Sequence, residues 1–242
     1  MRRLAPIVAA LVLGFPAAAD ATSVKLVGCV PALDPLQRTA TFEARAKAAR
    51  GSERIQVRFT LQVREEGLAA WRRVVAPGFD TWLTSAPRVR RYTYAKTVQN
   101  LTAPAAYRML ARFRWLDEDG EVLAAARRTS AVCRQPDERP NLVARGIEVV
   151  PAPRDEALRR YAVTVRNTGR GAAGPFAVAL RAGDEELSPL PVFGLEAGQE
   201  QVVTFLGPAC AAGALLVATL DGAEAVDERD EDDNVLTVPC RP

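Results

Sequence analysis

A strict alternation of apolar and polar residues is the feature that most constrains the fold of this chain. Residues 55–64 read Ile-Gln-Val-Arg-Phe-Thr-Leu-Gln-Val-Arg, so every second side chain is apolar. This period of two places apolar side chains on one face of a β-strand and polar side chains on the other. Residues 42–47 and 107–115 show the same period. We therefore expect strands with one buried face and one solvent face.

Two local signals place turns among these strands. The pair Asp119-Gly120 tolerates positive φ angles and predicts a tight hairpin. Leu101 and Tyr107 lie six residues apart around Pro104, a spacing that resembles the tyrosine corner of fibronectin type III domains. In that corner the tyrosine ring enters the core and its hydroxyl bonds to upstream backbone. The pattern predicts a fibronectin-like or immunoglobulin-like β-sandwich over residues 22–133.

A polar segment divides the chain near its middle. Residues 134–140 read Arg-Gln-Pro-Asp-Glu-Arg-Pro, without any apolar period and with a proline near each end. This composition predicts a linker between two domains. Each flanking segment holds about 100 residues, the size of one immunoglobulin-like sandwich.

The segment 141–242 resembles CARDB, the cell-adhesion-related domain found in bacteria. The resemblance lies in residues 141–143 (Asn-Leu-Val), 161–169 (Tyr-Ala-Val-Thr-Val-Arg-Asn-Thr-Gly), 172–178 (Ala-Ala-Gly-Pro-Phe-Ala-Val), 194–198 (Gly-Leu-Glu-Ala-Gly) and 226–234 (Val-Asp-Glu-Arg-Asp-Glu-Asp-Asp-Asn). It implies a seven-stranded antiparallel sandwich of secreted and surface proteins, usually without catalytic activity. It also implies that Glu228, Glu231 and Asn234 cap a turn between the last two strands. Asp233 departs from the family, which often has asparagine there.

The first 21 residues have the pattern of a secretory signal peptide. Arg2 and Arg3 precede an apolar run over residues 4–15, and small residues lead to Ala19-Asp20-Ala21. This order of a basic start, a short apolar run and an Ala-x-Ala exit predicts cleavage after Ala21. The run is too short for a membrane span, which needs about 20 apolar residues. We therefore expect a secreted, periplasmic or surface-associated protein without a transmembrane anchor. The predicted fold is all-β, with two tandem immunoglobulin-like antiparallel β-sandwiches after the signal peptide.

Four cysteines in an exported chain predict two disulfide bonds. They allow three pairings, and the spacing favours Cys29 with Cys133 and Cys210 with Cys240, because each half then holds its own bridge. Lipidation of Cys29 is the alternative, since Leu26-Val27-Gly28-Cys29 resembles a lipobox. Two charged residues, Asp20 and Lys25, lie in the stretch that such a signal keeps uncharged.

The chain contains no histidine. This count excludes the Ser-His-acid triad, the Cys-His pair and every histidine-ligated metal site. None of the five serines lies in a Gly-x-Ser-x-Gly motif, and no glycine-rich phosphate loop is present. We therefore expect no enzyme and no catalytic residue, and a role in binding, adhesion or scaffolding at the bacterial cell envelope.

Charge is divided unequally along the chain. Residues 22–139 hold 21 basic against 12 acidic residues, a balance of +9, whereas residues 140–242 hold 9 against 16, a balance of −7. The candidate surface for a protein or an anionic envelope polymer consists of Arg72, Arg73, Arg88, Arg90 and Arg91, with Arg108, Arg112 and Arg114 on the polar side of a strand. Nucleic acid is not expected, because no recognisable binding module accompanies the basic residues. The sequence does not set the oligomeric state.

Two alternative sites remain open at this level. The aromatic residues Trp71, Trp82, Tyr92 and Tyr94 would form a stacking platform if the chain were a carbohydrate-binding or accessory module. The acidic run places six carboxylates within residues 227–233, and Asp227, Glu228, Asp230 and Glu231 are candidate calcium ligands. The run lacks the Asp-x-Asp-x-Asp-Gly spacing of a calcium loop, so no metal is firmly predicted and calcium is the one cofactor left open.

Overall fold

The computed structural model describes residues 22–153 and 155–241, and the predicted signal peptide lies outside the described residues. The described residues form sixteen β-strands and one short 3-10 turn at Pro35–Gln37, which confirms the all-β fold class. They divide into two compact units, residues 22–30 with 39–135 and residues 31–38 with 136–241. No helix within these described ranges is long and apolar enough to cross a membrane.

Nine strands build the first unit. They are β1 (Thr22–Val30), β2 (Thr39–Lys47), β3 (Arg54–Glu65), β4 (Arg72–Arg73), β5 (Trp82–Thr84), β6 (Arg91–Val98), β7 (Ala105–Leu116), β8 (Val122–Thr129) and β9 (Cys133–Gln135). One antiparallel sheet has the order β1-β2-β6. The other has the order β4-β3-β7-β8, with β5 also pairing with β3 and β9 with β7.

The apolar positions of the alternating strands form the core of the first unit. Ile55, Phe59, Phe113 and Trp115 point inward from β3 and β7, and Phe42 meets them from β2. The indole nitrogen of Trp115 donates a hydrogen bond to the carbonyl oxygen of Lys47 at 2.7 Å. The period of two therefore determines which face of each strand is buried.

The two turn signals and the first disulfide have the expected local form. The Tyr107 hydroxyl donates to the carbonyl oxygen of Thr102 at 3.1 Å, as a tyrosine corner requires. Gly120 has a φ angle of 85° in the turn between β7 and β8. Cys29 of β1 is bonded to Cys133 of β9, with their Cα atoms 5.5 Å apart.

The segment predicted as a linker, residues 134–140, is shared between the two units. Arg134 and Gln135 extend β9, where they pair with the first residues of β7. Farther along, the carbonyl oxygen of Arg139 accepts a hydrogen bond from the backbone of Arg170 at 3.1 Å, and that of Pro140 accepts one from Arg229 at 2.9 Å. Strand pairing on one side and turn contacts on the other thus order this polar stretch.

Seven strands build the second unit. They are β10 (Leu142–Ala152), β11 (Asp155–Asn167), β12 (Phe176–Ala182), β13 (Glu185–Val192), β14 (Glu200–Pro208), β15 (Leu215–Leu220) and β16 (Val235–Pro239). The antiparallel sheets β10-β11-β14 and β13-β12-β15-β16 enclose one core. Tyr161 and Val163 of β11 and Leu216 of β15 are among its fully buried residues. The second disulfide joins Cys210 and Cys240, so both bridges follow the pairing that the spacing favours.

Candidate binding surface

The solvent face of the sheet around β3 and β7 holds six arginines that form no ion pair among the described residues. The polar positions of the two alternating strands, with residues contributed by β5, β8 and the segment before β4, form what we call the arginine–tryptophan face. It consists of Arg58, Arg64, Trp71, Trp82, Arg108, Arg112, Arg114 and Arg127. Its arginines share one side of the sheet because alternate residues of a strand point the same way.

Each tryptophan of this face contacts two guanidinium groups. The Cζ atoms of Arg58 and Arg114 lie 5.0 Å and 4.0 Å from the ring centroid of Trp82. The Cζ atoms of Arg64 and Arg108 lie 4.9 Å and 4.2 Å from the ring centroid of Trp71. Such cation–π contacts contribute about 0.5–1 kcal/mol each at exposed sites. The indole rings therefore hold four arginine side chains across the sheet.

Two glutamines of β3 bind two of these arginines from a second direction. The Nε atom of Arg114 donates to Gln56 Oε1 at 2.5 Å, and the Nε atom of Arg108 donates to Gln62 Oε1 at 2.8 Å. Among the described residues, none of the six arginines of the face forms an ion pair, whereas arginines elsewhere in the unit do. In the described part of the chain, the face thus carries ordered positive charge that no ion pair neutralises.

Three of these arginines stand side by side across the strands. Arg58 of β3 is directly opposite Arg112 of β7, and Arg112 is directly opposite Arg127 of β8. On the other side of β3, Arg58 is opposite Trp82. Neighbouring strands are about 4.8 Å apart, and like charges directly opposite each other destabilise a sheet. We call Arg58, Arg112 and Arg127 the arginine row.

The arginine row lines an open groove of about 550 Å³. The groove also has Trp82 and Arg114 on its wall and small or apolar side chains of β8, such as Ala125, on its floor. Arg112 and Arg127 are exposed, while Arg58 is half-buried. The Nε atom of Arg58 is buried and has no hydrogen-bond partner in the described structure. The groove therefore offers several guanidinium groups to an anionic ligand.

The five arginines predicted from the sequence do not form one surface. Arg72 pairs with Glu65, Arg73 with Asp80 at 2.8 Å, and Arg88 with Glu53 at 3.0 Å. Arg72 lies opposite Val63 near one end of β3, while the backbone of Arg88 bonds to Glu53 just before the other end. Strand pairing places these arginines apart and brings a carboxylate next to each of them. Their closeness in the sequence could not indicate either result.

The last two predicted arginines lie elsewhere in the unit. Arg90 is exposed in the loop before β6. Arg91 begins β6 in the other sheet and, with Arg45 and Lys47, lines a separate pocket of about 300 Å³. Arg108, Arg112 and Arg114 do lie on the solvent side of β7, as the alternation predicts. The sequence interpretation missed Arg58, Arg64 and Arg127, although they occupy polar positions of β3 and β8.

The four-residue aromatic platform is not formed. Tyr92 and Tyr94 of β6 are half-buried and pack against the core of the first unit, with the rings of Tyr94 and Phe59 5.7 Å apart. Burial raises the pKa of the Tyr92 hydroxyl. Only Trp71 and Trp82 remain on the solvent face, and arginines stack against both.

The acidic run of the second unit caps a turn. Glu228 is 1% exposed, and its carboxylate accepts hydrogen bonds from the backbone N–H of Leu142 and, at 3.1 Å, from Nδ2 of Asn234. The Glu231 carboxylate accepts one from the backbone of Glu228 at 3.0 Å. These contacts agree with the capping role that the CARDB resemblance implies. Burial, opposed by these hydrogen bonds, raises the pKa of Glu228 to about 7.

The remaining carboxylates of the run have separate partners in the described structure. Asp227 pairs with Arg139 at 2.9 Å, and Asp233 accepts a hydrogen bond from Nδ2 of Asn141 at 3.0 Å. Asp230 accepts one from the backbone of Asp232 at 3.1 Å. Calcium takes six to eight oxygen ligands, and no group of three or more metal-binding side chains occurs in the described part of the chain. Within the described residues, the four candidate calcium ligands therefore take part in separate contacts and do not form one cluster.

Comparison with known proteins identifies the second unit. The family model of CARDB matches residues 139–238, which confirms the resemblance. The CARDB domain of a Pyrococcus furiosus protein, solved in complex with di-metal ions, is 26% identical over 42% of this chain and 87% of its own, with a TM-score of 0.35. A domain from Methanosarcina acetivorans, of a protein provisionally named a cell surface protein, is 25% identical over 42% of this chain and 90% of its own, with a TM-score of 0.37. No curated protein matches the chain.

Proposed function

We propose that this chain is an exported, non-catalytic adhesion or scaffold protein of the bacterial cell envelope that binds an anionic polymer through the arginine–tryptophan face. The CARDB domain relates the chain to cell-surface, adhesion-related proteins. Two disulfides fit an oxidising compartment outside the cytosol. The arginine row carries the proposal, because three arginines in direct register, without an ion pair among the described residues, are best stabilised by an external anion.

The alternative function, stacking of neutral carbohydrate on exposed aromatic rings, has less support. Tyr92 and Tyr94 pack against the core, and the rings of Trp71 and Trp82 are each in contact with two guanidinium groups. A ring that already stacks on arginines offers less surface to a neutral sugar. The two functions differ in their response to salt, because only the binding of an anion by arginines is screened.

Co-sedimentation with the envelope fraction of the source cells tests the proposal. The full chain, as the cells export it, is mixed with this fraction at about 0.1 M and about 1 M salt, where the Debye length falls from about 10 Å to about 3 Å. Retention at low salt and release at high salt are expected. The double variant Arg112→Glu/Arg127→Glu should not be retained at either salt concentration.

The matched control is Arg88→Glu/Arg90→Glu, which changes the net charge equally but alters two exposed arginines outside the arginine–tryptophan face. This control should behave as the unmodified chain. Equal loss in both double variants would show that net charge alone attaches the protein. Retention that survives high salt and both variants would contradict binding through arginines, and no retention under any condition would contradict attachment to the envelope.

A further inference from the structure

We propose that the groove beside Trp82 binds a linear acidic polysaccharide whose sugar units carry carboxylates, laid across the strands of the sheet. This inference rests on the proposed function and names the ligand class for the same face. Three observations support it. The arginine row crosses the strands at the spacing of the strands, small apolar side chains line the groove, and the backbone groups between β3 and β7 are already hydrogen-bonded to each other.

The arginine row repeats at the spacing of neighbouring strands. Arg58, Arg112 and Arg127 occupy successive strands in direct register, so their Cα atoms advance by about 4.8 Å per strand. This advance is close to the length of one pyranose unit in an extended polysaccharide. A polymer of uronic acid units laid along the row would bring several carboxylates within reach of these long side chains, and a guanidinium can bind a carboxylate through two parallel hydrogen bonds.

The floor of the groove suits the carbon face of a sugar ring. Ala125 is exposed on β8 directly opposite Arg114, and the exposed Val122 also lines the groove, whereas the side chain of Ala126 packs against the core. These small apolar side chains leave room for a ring to lie flat between the guanidinium groups. A polyphosphate chain has no apolar face to place against this floor, so the combination of apolar floor and basic wall favours an acidic sugar.

The course of the groove argues against an acidic peptide. Its lining residues come from β3, β5, β7 and β8, so the groove crosses the strands rather than following one of them. A peptide bound by β-sheet proteins commonly adds a strand to a free edge, where backbone groups hydrogen-bond with it. Inside the sheet these backbone groups are already paired between β3 and β7. Between β3 and β7 the face therefore offers side chains only, which a polysaccharide with charged substituents can use.

Binding of defined polymers to the full chain tests the inference. The probes are polygalacturonate, the same polymer after reduction of its carboxyl groups to alcohols, polyphosphate and polyglutamate, and the readout is titration calorimetry together with tryptophan fluorescence. We expect binding of polygalacturonate, no binding of its reduced form, and weaker binding of the other two anions. Arg112→Ala should weaken polygalacturonate binding by about tenfold, as expected for loss of a charge-assisted hydrogen-bonded contact.

Arg88→Ala is the matched control, because Arg88 is an exposed arginine of the same unit that lies outside the groove and pairs with Glu53. It should leave the affinity for polygalacturonate unchanged. Equal affinity for all three polyanions, or tighter binding of polyglutamate, would overturn the assignment to an acidic sugar while leaving the proposed anionic partner in place. Envelope retention that depends on Arg112 without any binding of polygalacturonate would also overturn the assignment to an acidic sugar. No envelope retention of the unmodified chain would contradict the proposed function itself.

Discussion

The carboxylate of Glu228 accepts a hydrogen bond from the backbone N–H of Leu142, a residue 86 positions earlier in the chain. Leu142 is the first residue of β10, and Glu228 belongs to the acidic turn before β16. A buried side chain thus joins the two ends of the CARDB domain's sequence. Because the same carboxylate titrates near neutral pH, this contact makes the stability of the domain depend on pH.

Glu228 should make the second unit less stable as the pH rises towards neutrality. The pKa of Glu228 is raised from its ordinary value of 4.5 to about 7 in the folded protein. Between these two pH values the folded state therefore retains a proton that the unfolded state releases. The stabilisation that Glu228 contributes through this proton is fully present below about pH 4.5 and is lost as the pH rises through about 7. The free energy of unfolding should fall by at most about 1.4 kcal/mol per pH unit over this range. Urea denaturation followed over this range should show the slope in the natural chain.

Glu228→Gln should remove most of this slope, because glutamine does not titrate. Glu200→Gln is the control, since Glu200 is an exposed residue of β14. An unchanged slope in Glu228→Gln would show that the pH dependence arises from other groups.

Trp82→Ala should weaken anion binding more than Trp71→Ala does. Both rings contact two guanidinium groups at similar distances, so each substitution should lower the free energy of unfolding of the first unit by about 1–2 kcal/mol. Only Trp82 lines the groove and holds Arg58 and Arg114 there. Thermal denaturation would measure the common loss of stability, and envelope co-sedimentation the difference in binding. Equal binding by the two variants would contradict the role assigned to Trp82.

Gly169→Ala should destabilise the second unit severely. A Cβ atom at this position would lie 2.5 Å from the carbonyl oxygen of Arg139 and 2.5 Å from the backbone nitrogen of Asn141, and backbone cannot move aside as a flexible side chain can. We expect a loss of more than about 3 kcal/mol, at the upper end of single-substitution effects. Gly174→Ala is the control, because a Cβ atom there meets nothing within 4 Å. Urea midpoints that shift equally in both variants would show that the close approach at Gly169 is relieved cheaply.

Removal of the second disulfide should affect one unit only. The double variant Cys210→Ser/Cys240→Ser opens a bridge between residues 30 positions apart, and loss of a native disulfide from a small domain typically costs about 2–5 kcal/mol. Calorimetric unfolding should therefore show a lower midpoint for the second unit and an unchanged midpoint for the first. A shift of both transitions would indicate that the two units unfold together.

The sequence predicted the parts of this fold that depend on local periodicity. The alternation over residues 55–64 identified β3 and its buried face, because burial of every second side chain is a property of a single strand. The arginine row could not be found in this way, since Arg58, Arg112 and Arg127 become neighbours only through the register of three strands. For the same reason the sequence grouped Arg72, Arg73 and Arg88 on one basic surface. The carboxylates that pair with them come close only in the folded chain.

The bond between Cys29 and Cys133 determines how the first unit would carry mechanical load. Tension that enters the chain before Cys29 and leaves it after Cys133 passes through the sulfur–sulfur bond and bypasses the strands between them. The strands between the two cysteines, which bear the arginine–tryptophan face, would then not be unzipped by pulling on the chain. A ligand held on that face would be released by rupture of its own contacts with the arginines before the domain beneath it came apart.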